Sequence, residues 1–120
     1  MVKNRTISKE MLGLMAGKFR MLSDATRLAI LHSLMTGGEM NVSQIVAATE
    51  QSVANVSKHL KQLANSHLLT RRKEGSHVFY LLDDPVVKKI CELVCDSLQY
   101  EIEAQLKKSL RLLDQRRQRK

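Results

Sequence analysis

Apolar positions recur along most of this chain at helical spacing, with one interruption. Met11, Leu14, Met15, Phe19 and Leu22 lie three or four apart, which predicts a helix from about Ile7 to Leu22. Ser23 reads as the cap of a second helix, with Asp24 in its first turn, where an acid suits the helix dipole. That helix carries Leu28, Ile30, Leu31 and Leu34 to about Met35, and Gly37-Gly38 ends it. A short helix from Val42 to Ala48 follows behind an Asn41 cap. The "TEQ" of residues 49–51 makes a tight turn, and a fourth helix runs from about Ser52 to Ser66.

The period then changes. Leu69 to Lys73 and His77 to Leu82 read as two short strands, partly β-branched and aromatic, that meet at Glu74-Gly75-Ser76; glycine at such a reversal signals a hairpin. Asp84 before Pro85 starts the last helix, from Pro85 to about Leu113. The order is four helices, a hairpin and a fifth helix. A short helix, a three-residue turn and a second helix form a helix-turn-helix, and a hairpin directly behind it is a wing. The fold class expected is mainly α with a small β-hairpin, a winged helix-turn-helix. Residues 1–113 are read as one such domain, with dimerisation helices at about 7–22 and 85–113, and residues 114–120 as a flexible basic tail.

The fourth helix has two contrasting faces. Val53, Val56, Leu60 and Leu63 fit the face that holds it to the domain. The other face is polar and basic, without an acid. In a helix-turn-helix that second helix enters the DNA major groove. Asn55 and Gln62 can bond adenine and Lys58 guanine, with Ser57 and His59 beside them. Ser52, at the cap, sits where backbone N–H groups and the dipole favour a phosphate. On the wing, Arg72, Lys73, Ser76 and His77 are expected to touch backbone or minor groove, adding affinity more than sequence choice. Strand alternation puts Arg71 and Lys73 on one face and Arg72 on the other.

Composition supports this picture. Lys and Arg number 20 against 12 Asp and Glu, a formal charge of +8 that favours a polyanionic partner. Aromatic content of 3% without Trp argues against a stacking platform for single strands. No run of 18 apolar residues offers a membrane span. The N-terminal "MVKNRTISKE" lacks the apolar core of a signal peptide, so a cytoplasmic protein is expected.

Three segments, "LSDATRLAIL" (22–31), "VSKHLKQLANSHLL" (56–69) and "RRKEGSHVFYLL" (71–82), stand in an order and spacing that resemble the arsenic-repressor (ArsR/SmtB) family of bacterial transcription regulators. The likeness covers about Lys18 to Leu98. It implies a homodimeric repressor that binds an inverted repeat and leaves when an effector binds. Many members carry Leu-Cys-Val-Cys in the third helix. Here the matching residues are Met40, Asn41, Val42 and Ser43, which argues against soft-metal sensing there. Others bind zinc through histidines of the last helix. His32, His59, His67 and His77 all lie elsewhere.

The last helix would extend about 43 Å at about 1.5 Å per residue, far beyond the ~13 Å radius of gyration of a compact body of this size. Its stripe of Val87, Cys91, Val94, Leu98 and Ile102, continuing to Leu113, wants a partner helix. The first helix offers Met11, Leu14, Met15 and Phe19. A homodimer through both helices is expected, with two recognition helices about 34–36 Å apart, one DNA turn. Cys91 and Cys95 share a face of the last helix. They read as small buried hydrophobes, as a thiol sensor at the dimer interface, or as part of a soft-metal site completed by the other subunit. No other metal site and no further cofactor are expected.

The function expected is a sequence-specific DNA-binding regulator acting on double-stranded DNA. The alternative is a winged-helix module for protein or RNA. No catalytic constellation accompanies the cysteines, so an enzyme is not expected.

Overall fold

The computed structural model describes residues 6–119. Its elements are α1 (Lys9–Leu22), α2 (Ala25–Gly37), β1 (Met40–Asn41), α3 (Val42–Thr49), α4 (Val53–Asn65), β2 (Leu69–Glu74), β3 (His77–Leu82) and α5 (Pro85–Gln118). They divide into two compact units, the first ending at Asp84 and the second beginning at Pro85.

Each helix of the first unit starts on a short polar side chain that accepts from the backbone N–H three residues on. Ser8 serves Met11, Asp24 serves Arg27, Asn41 serves Gln44 and Ser52 serves Asn55, at 2.9–3.1 Å. At α3 the bond is reciprocal, because Gln44 Oε1 accepts from the Asn41 N–H at 2.9 Å, a complete capping box. The cap of α2 is Asp24 rather than Ser23. A carboxylate caps as well as a hydroxyl, and Ser23 instead closes α1, its N–H donating to the Arg20 carbonyl at 3.1 Å. Gly38 ends α2 at φ 77°, a left-handed position that costs glycine nothing.

Helices α2, α3 and α4 pack on one another. Ile30, Leu31, Leu34, Ile45, Val56, Leu60 and Leu63 form their buried centre, with Leu68, Leu69 and Leu82 of the sheet side. The hairpin pairs β2 with β3 from Leu69 opposite Leu82 to Glu74 opposite His77. That leaves a two-residue loop, Gly75-Ser76. Gly75 has φ 61°, and such loops favour left-handed residues because their twist matches that of the strands. A third strand was not expected. β1 pairs antiparallel with β3, Met40 opposite Tyr80 and Asn41 opposite Phe79, giving the order β1-β3-β2. Two residues are too few to show alternation, so only the finished hairpin edge reveals them.

The second unit is a single helix. It does not stop at Leu113 but continues to Gln118. Residues 114–118 contain no glycine or proline, and Arg116 and Arg117 suit the negative end of the dipole. Lys120, the end of the expected tail, lies outside the described residues.

Candidate nucleic-acid interface

The turn between α3 and α4 is made by Glu50, which takes the left-handed conformation (φ 55°, ψ 28°) while its N–H donates to the Val46 carbonyl at 2.9 Å. Ser52 then opens α4. Val56, Leu60 and Leu63 are wholly buried and hold the helix down. Each such side chain contributes about 1.5–3 kcal/mol of burial. Ser52, Ser57, Lys58, Lys61 and Gln62 lie exposed on the opposite side, with Asn55 half-buried between. The acid-free outer face is therefore present as expected.

Two positions exchange roles. Val53, expected to hold the helix down, is 60% exposed. It belongs to the first turn, where side chains lean toward the open N-terminal end. His59, expected to face DNA, is 8% exposed and turned inward. Its Nδ1 lies 3.5 Å from Arg27 Nη1 and its Nε2 lies 3.9 Å from Asp24 Oδ2. With Nδ1 accepting from the guanidinium, His59 is a structural residue of the domain and not a base reader.

Arg27 links α4 to the end of α1. Its Nε donates to the Met21 carbonyl at 2.8 Å and Nη2 to the Arg20 carbonyl at 3.0 Å, so it satisfies carbonyls that α1 leaves open. Its Nη1 also donates to Gln62 Oε1 at 3.4 Å. Gln62 is thus exposed to a groove but steadied from behind. The Arg27 backbone N–H, bonded to Asp24, holds the Asp24 carboxyl below its ordinary pKa. The sequence pattern places Asp24 in the first turn of the helix but carries no signal for Arg27, whose partners are backbone carbonyls and a helix 32 residues away. Asn55 donates from Nδ2 to Gln51 Oε1 at 3.0 Å, which engages one of its two amide N–H groups.

On the wing the two strand faces differ. Arg72 is expected on DNA, yet two carboxylates hold it. Nη2 pairs with Glu39 at 2.5 Å and Nη1 with Glu74 at 2.6 Å, and the guanidinium lies 4.9 Å over the Phe79 ring. Those hydrogen bonds raise the Arg72 pKa and lower that of Glu39. Arg72 is a clamp between the hairpin and the β1 segment, and its charge is already neutralised. Lys73, Ser76 and His77 are exposed at the tip, as expected.

Arg71 lies on the other face of β2, opposite Tyr80. With Ser57, Lys61, Ala64, Asn65 and Tyr80 it lines an open groove of about 400 Å³ between α4 and the hairpin. Lys61, Asn65, Arg71 and Tyr80 were not among the expected contacts. The alternation had separated Arg71 from Arg72, but the choice between the faces needed Glu39, 33 residues away in sequence, to be seen beside Arg72. Two cations without an ion-pair partner among the described residues, and three hydrogen-bonding side chains, in one groove suit a phosphate strand.

The sequence profile described as bacterial regulatory protein, arsR family, matches residues 24–71, from the cap of α2 into β2. The arsenical resistance operon repressor of Escherichia coli (strain K12) is 34% identical over 85 residues, covering 71% of this chain and 73% of that one. The chain belongs to the arsR family.

Another arsR-family likeness is to a cadmium resistance transcriptional regulatory protein CadC homolog of Staphylococcus aureus, 42% identical over 74 residues and 62% of this chain. The match spans 61% of that regulator's own length, less than two thirds. Among solved structures, the homodimeric winged helix-turn-helix DNA-binding domain of a possible ArsR-family regulator from Mycobacterium bovis superposes with a TM-score of 0.72 at 26% identity, covering 87% of this chain and 95% of that one. The arsR-family profile contains the whole helix-turn-helix, while the hairpin tip and α5 lie beyond it.

The expected dimer residues are mostly open. Met11, Leu14, Met15 and Phe19 of α1 and Val94, Leu98 and Ile102 of α5 are 39–71% exposed. Val87 is the correction: it is wholly buried in the chain itself and has no surface to offer a partner. Cys91 is half-buried and Cys95 exposed, both as free thiols. Burial pushes the Cys91 thiol up, which lowers its share of the reactive thiolate. Among the described residues no three His, Cys, Asp or Glu side chains gather to hold a metal ion. No helix among them is long and apolar enough to cross a membrane.

Proposed function

We propose that this arsR-family protein is a sequence-specific DNA-binding transcriptional regulator, a repressor that occupies an inverted repeat as a homodimer and is released by an effector. The observation that carries the reading is the outer side of α4: an exposed, acid-free row of Ser52, Ser57, Lys58, Lys61 and Gln62 beside the groove holding Arg71. Base-reading falls to Asn55, Lys58 and Gln62, whose side chains suit adenine and guanine edges. Phosphate contacts fall to Lys61, Arg71 and Lys73 and to the capped N-terminus at Ser52. Relatives of this chain include regulators of arsenical and cadmium resistance, and a fold neighbour is a homodimeric DNA-binding domain. The apolar residues left open on α1 and α5 supply a dimer surface of the kind monomers rarely leave uncovered.

Binding to duplex DNA measured against salt tests the reading. Each phosphate contact releases counterions, so the association constant should fall steeply and log-linearly with salt. Footprinting on the DNA upstream of the protein's own coding sequence should protect a two-fold repeat with half-sites about 10 base pairs apart. A purified protein that ignores duplex DNA at low salt would end the proposal.

A further inference from the structure

The first unit holds an open cleft of about 510 Å³ that DNA binding does not use. One wall is the later part of α1, with Gly17, Lys18, Arg20 and Met21. The other is the turn from α4 into β2, with Ser66, His67 and Leu68. Asp84 and Leu14 line it as well, and Leu14 belongs also to the expected dimer surface.

Two of these residues run against local preference. Gly17 sits inside a helix, where only proline is a poorer former. A Cβ there would meet nothing within 4 Å, so packing within the chain does not call for glycine. What the bare position provides is room in the cleft. His67 follows α4 in the left-handed conformation, at φ 61°. Its N–H donates to the Ala64 carbonyl and the Leu68 N–H to the Leu63 carbonyl, both at 3.1 Å, a Schellman closure in which glycine is the usual residue. An imidazole is kept there instead, exposed on the cleft. One departure makes space and the other adds a hydrogen-bonding ring, and both face the same opening.

The charges select the ligand. Lys18 Nζ pairs with Asp84 Oδ2 at 2.8 Å, so the acid of the cleft is already matched. The Arg20 side chain is exposed and takes part in no ion pair among the described residues. Helices α1 and α4 both end here, and the negative ends of their dipoles would by themselves favour a cation. Their last carbonyls are occupied, however. Arg27 donates to those of Arg20 and Met21, and N–H groups of the turn donate to those of Gln62, Leu63 and Ala64. The guanidinium fork of Arg20, with Ser66 and His67 beside it, then suits a carboxylate. Leu14, Met21 and Leu68 supply apolar walls. The volume lies within the range of about 300–1,000 Å³ usual for small-molecule sites.

We propose that this cleft binds a small organic acid, a carboxylate on a short apolar body, and that an effector acts there. The inference gives the effector of the proposed function a place and a chemical class, and rests on that reading. Arg27 supplies the connection to DNA. Its Nε and Nη2 hold the Met21 and Arg20 carbonyls, while Nη1 holds Gln62 Oε1 on α4. A carboxylate drawn onto Arg20 loads the same turn of α1 to which the base-reading Gln62 is tied. The coupling is reciprocal: an acid that weakens operator binding is itself weakened by the operator, by the same factor.

The test uses the full-length chain, with sodium octanoate and sodium benzoate as probes. Amide spectra recorded during titration should show saturable shifts at Gly17, Arg20, Ser66 and His67. Octylamine, with the same apolar chain and the opposite charge, should shift none of them. Arg20→Gln should weaken octanoate roughly tenfold, the loss of one charge-assisted bond. Gly17→Leu should block it by filling the cleft. His67→Gly restores the residue that such a turn prefers, so it should fold at least as stably as wild type while binding octanoate more weakly. On the footprinted repeat, octanoate should lower wild-type affinity at least about fivefold and leave that of Gly17→Leu unchanged.

Absence of saturable shifts with both acids overturns the inference. So does equal binding of octylamine in the cleft, and so do shifts at Leu98 and Ile102 in place of the cleft, which would make octanoate a general amphiphile. A Gly17→Leu chain that sediments as a monomer while wild type dimerises would assign the cleft to the second copy and overturn it too. Cleft shifts in a chain that ignores duplex DNA would support the site and remove the repressor reading. A chain that binds its repeat but shows no cleft shifts removes only the inference made here.

Discussion

Helices α4 and α5 carry apolar stripes of the same period and meet opposite fates. Val56, Leu60 and Leu63 of α4 are wholly buried, whereas Leu98, Ile102, Leu106 and Leu110 of α5 are more than half exposed. Where a stripe finds its partner inside the chain, the polar side is left free and becomes the working surface. Where it does not, the stripe itself is the working surface. Amphipathic period therefore marks two faces on any helix, and burial decides which of them meets another molecule.

The largest expected contrast comes from trimming one leucine in each stripe. Leu60→Ala should lower stability by about 2–5 kcal/mol, the usual cost of a large-to-small change in a packed core. Leu106→Ala should change the stability of dilute monomer by less than about 0.5 kcal/mol, as for exposed positions, while weakening dimerisation. Urea unfolding and sedimentation separate the two. Equal losses of stability from both would erase the distinction between the helices.

Arg27→Ala comes next. It removes charge-assisted donors from two α1 carbonyls and from Gln62, so a loss of about 1.5–3 kcal/mol is expected. Thermal unfolding reads the loss, and DNA affinity should fall with it because Gln62 is no longer held. Arg27→Lys should not rescue, since an ammonium cannot span the same acceptors with planar geometry.

On the free side of α4, Asn55→Ala should cost about 1–3 kcal/mol of discrimination at one base pair, with affinity for random DNA little changed. Competition binding with single-base operator variants measures it. Arg71→Ala should instead weaken binding to all sequences and reduce the salt slope by about one contact. Arg72→Ala should leave that slope nearly unchanged, because Glu39 and Glu74 already neutralise the charge. A slope that falls equally for both would place the wrong strand face on DNA.

The smallest effect concerns Asp24. Its folded pKa lies below the ordinary 3.8, chiefly through the Arg27 backbone N–H. Its contribution is therefore present above the unfolded value and lost as pH falls through the folded one. The difference in unfolding temperature between wild type and Asp24→Asn should be small near neutrality and should narrow further below about pH 4. A gap that widens on acidification contradicts this sign.

Much of the fold was legible because its signals are local. The Asn41 and Ser52 caps and the hairpin limits follow from side chains within four residues of the bonds they make. The outer face of α4 was legible for the same reason, being written in one period. The inward turn of His59 was not, because Asp24 and Arg27 lie more than 30 residues away. Nor was the neutralisation of Arg72, which depends on Glu39 crossing from the β1 segment. The groove of Lys61, Arg71 and Tyr80 joins three elements that no single stretch connects.

The sequence by itself determined the five helices and the hairpin, and that one polar face is basic and another stripe apolar, since these depend on side chains next to one another along the backbone; strand β1 needed the hairpin edge it pairs with. Only the tertiary structure decided which cations are free and which are spent on carboxylates, and which histidine faces inward. Charge neutralisation and burial are set by neighbours in space, and packing brings those neighbours from anywhere along the chain.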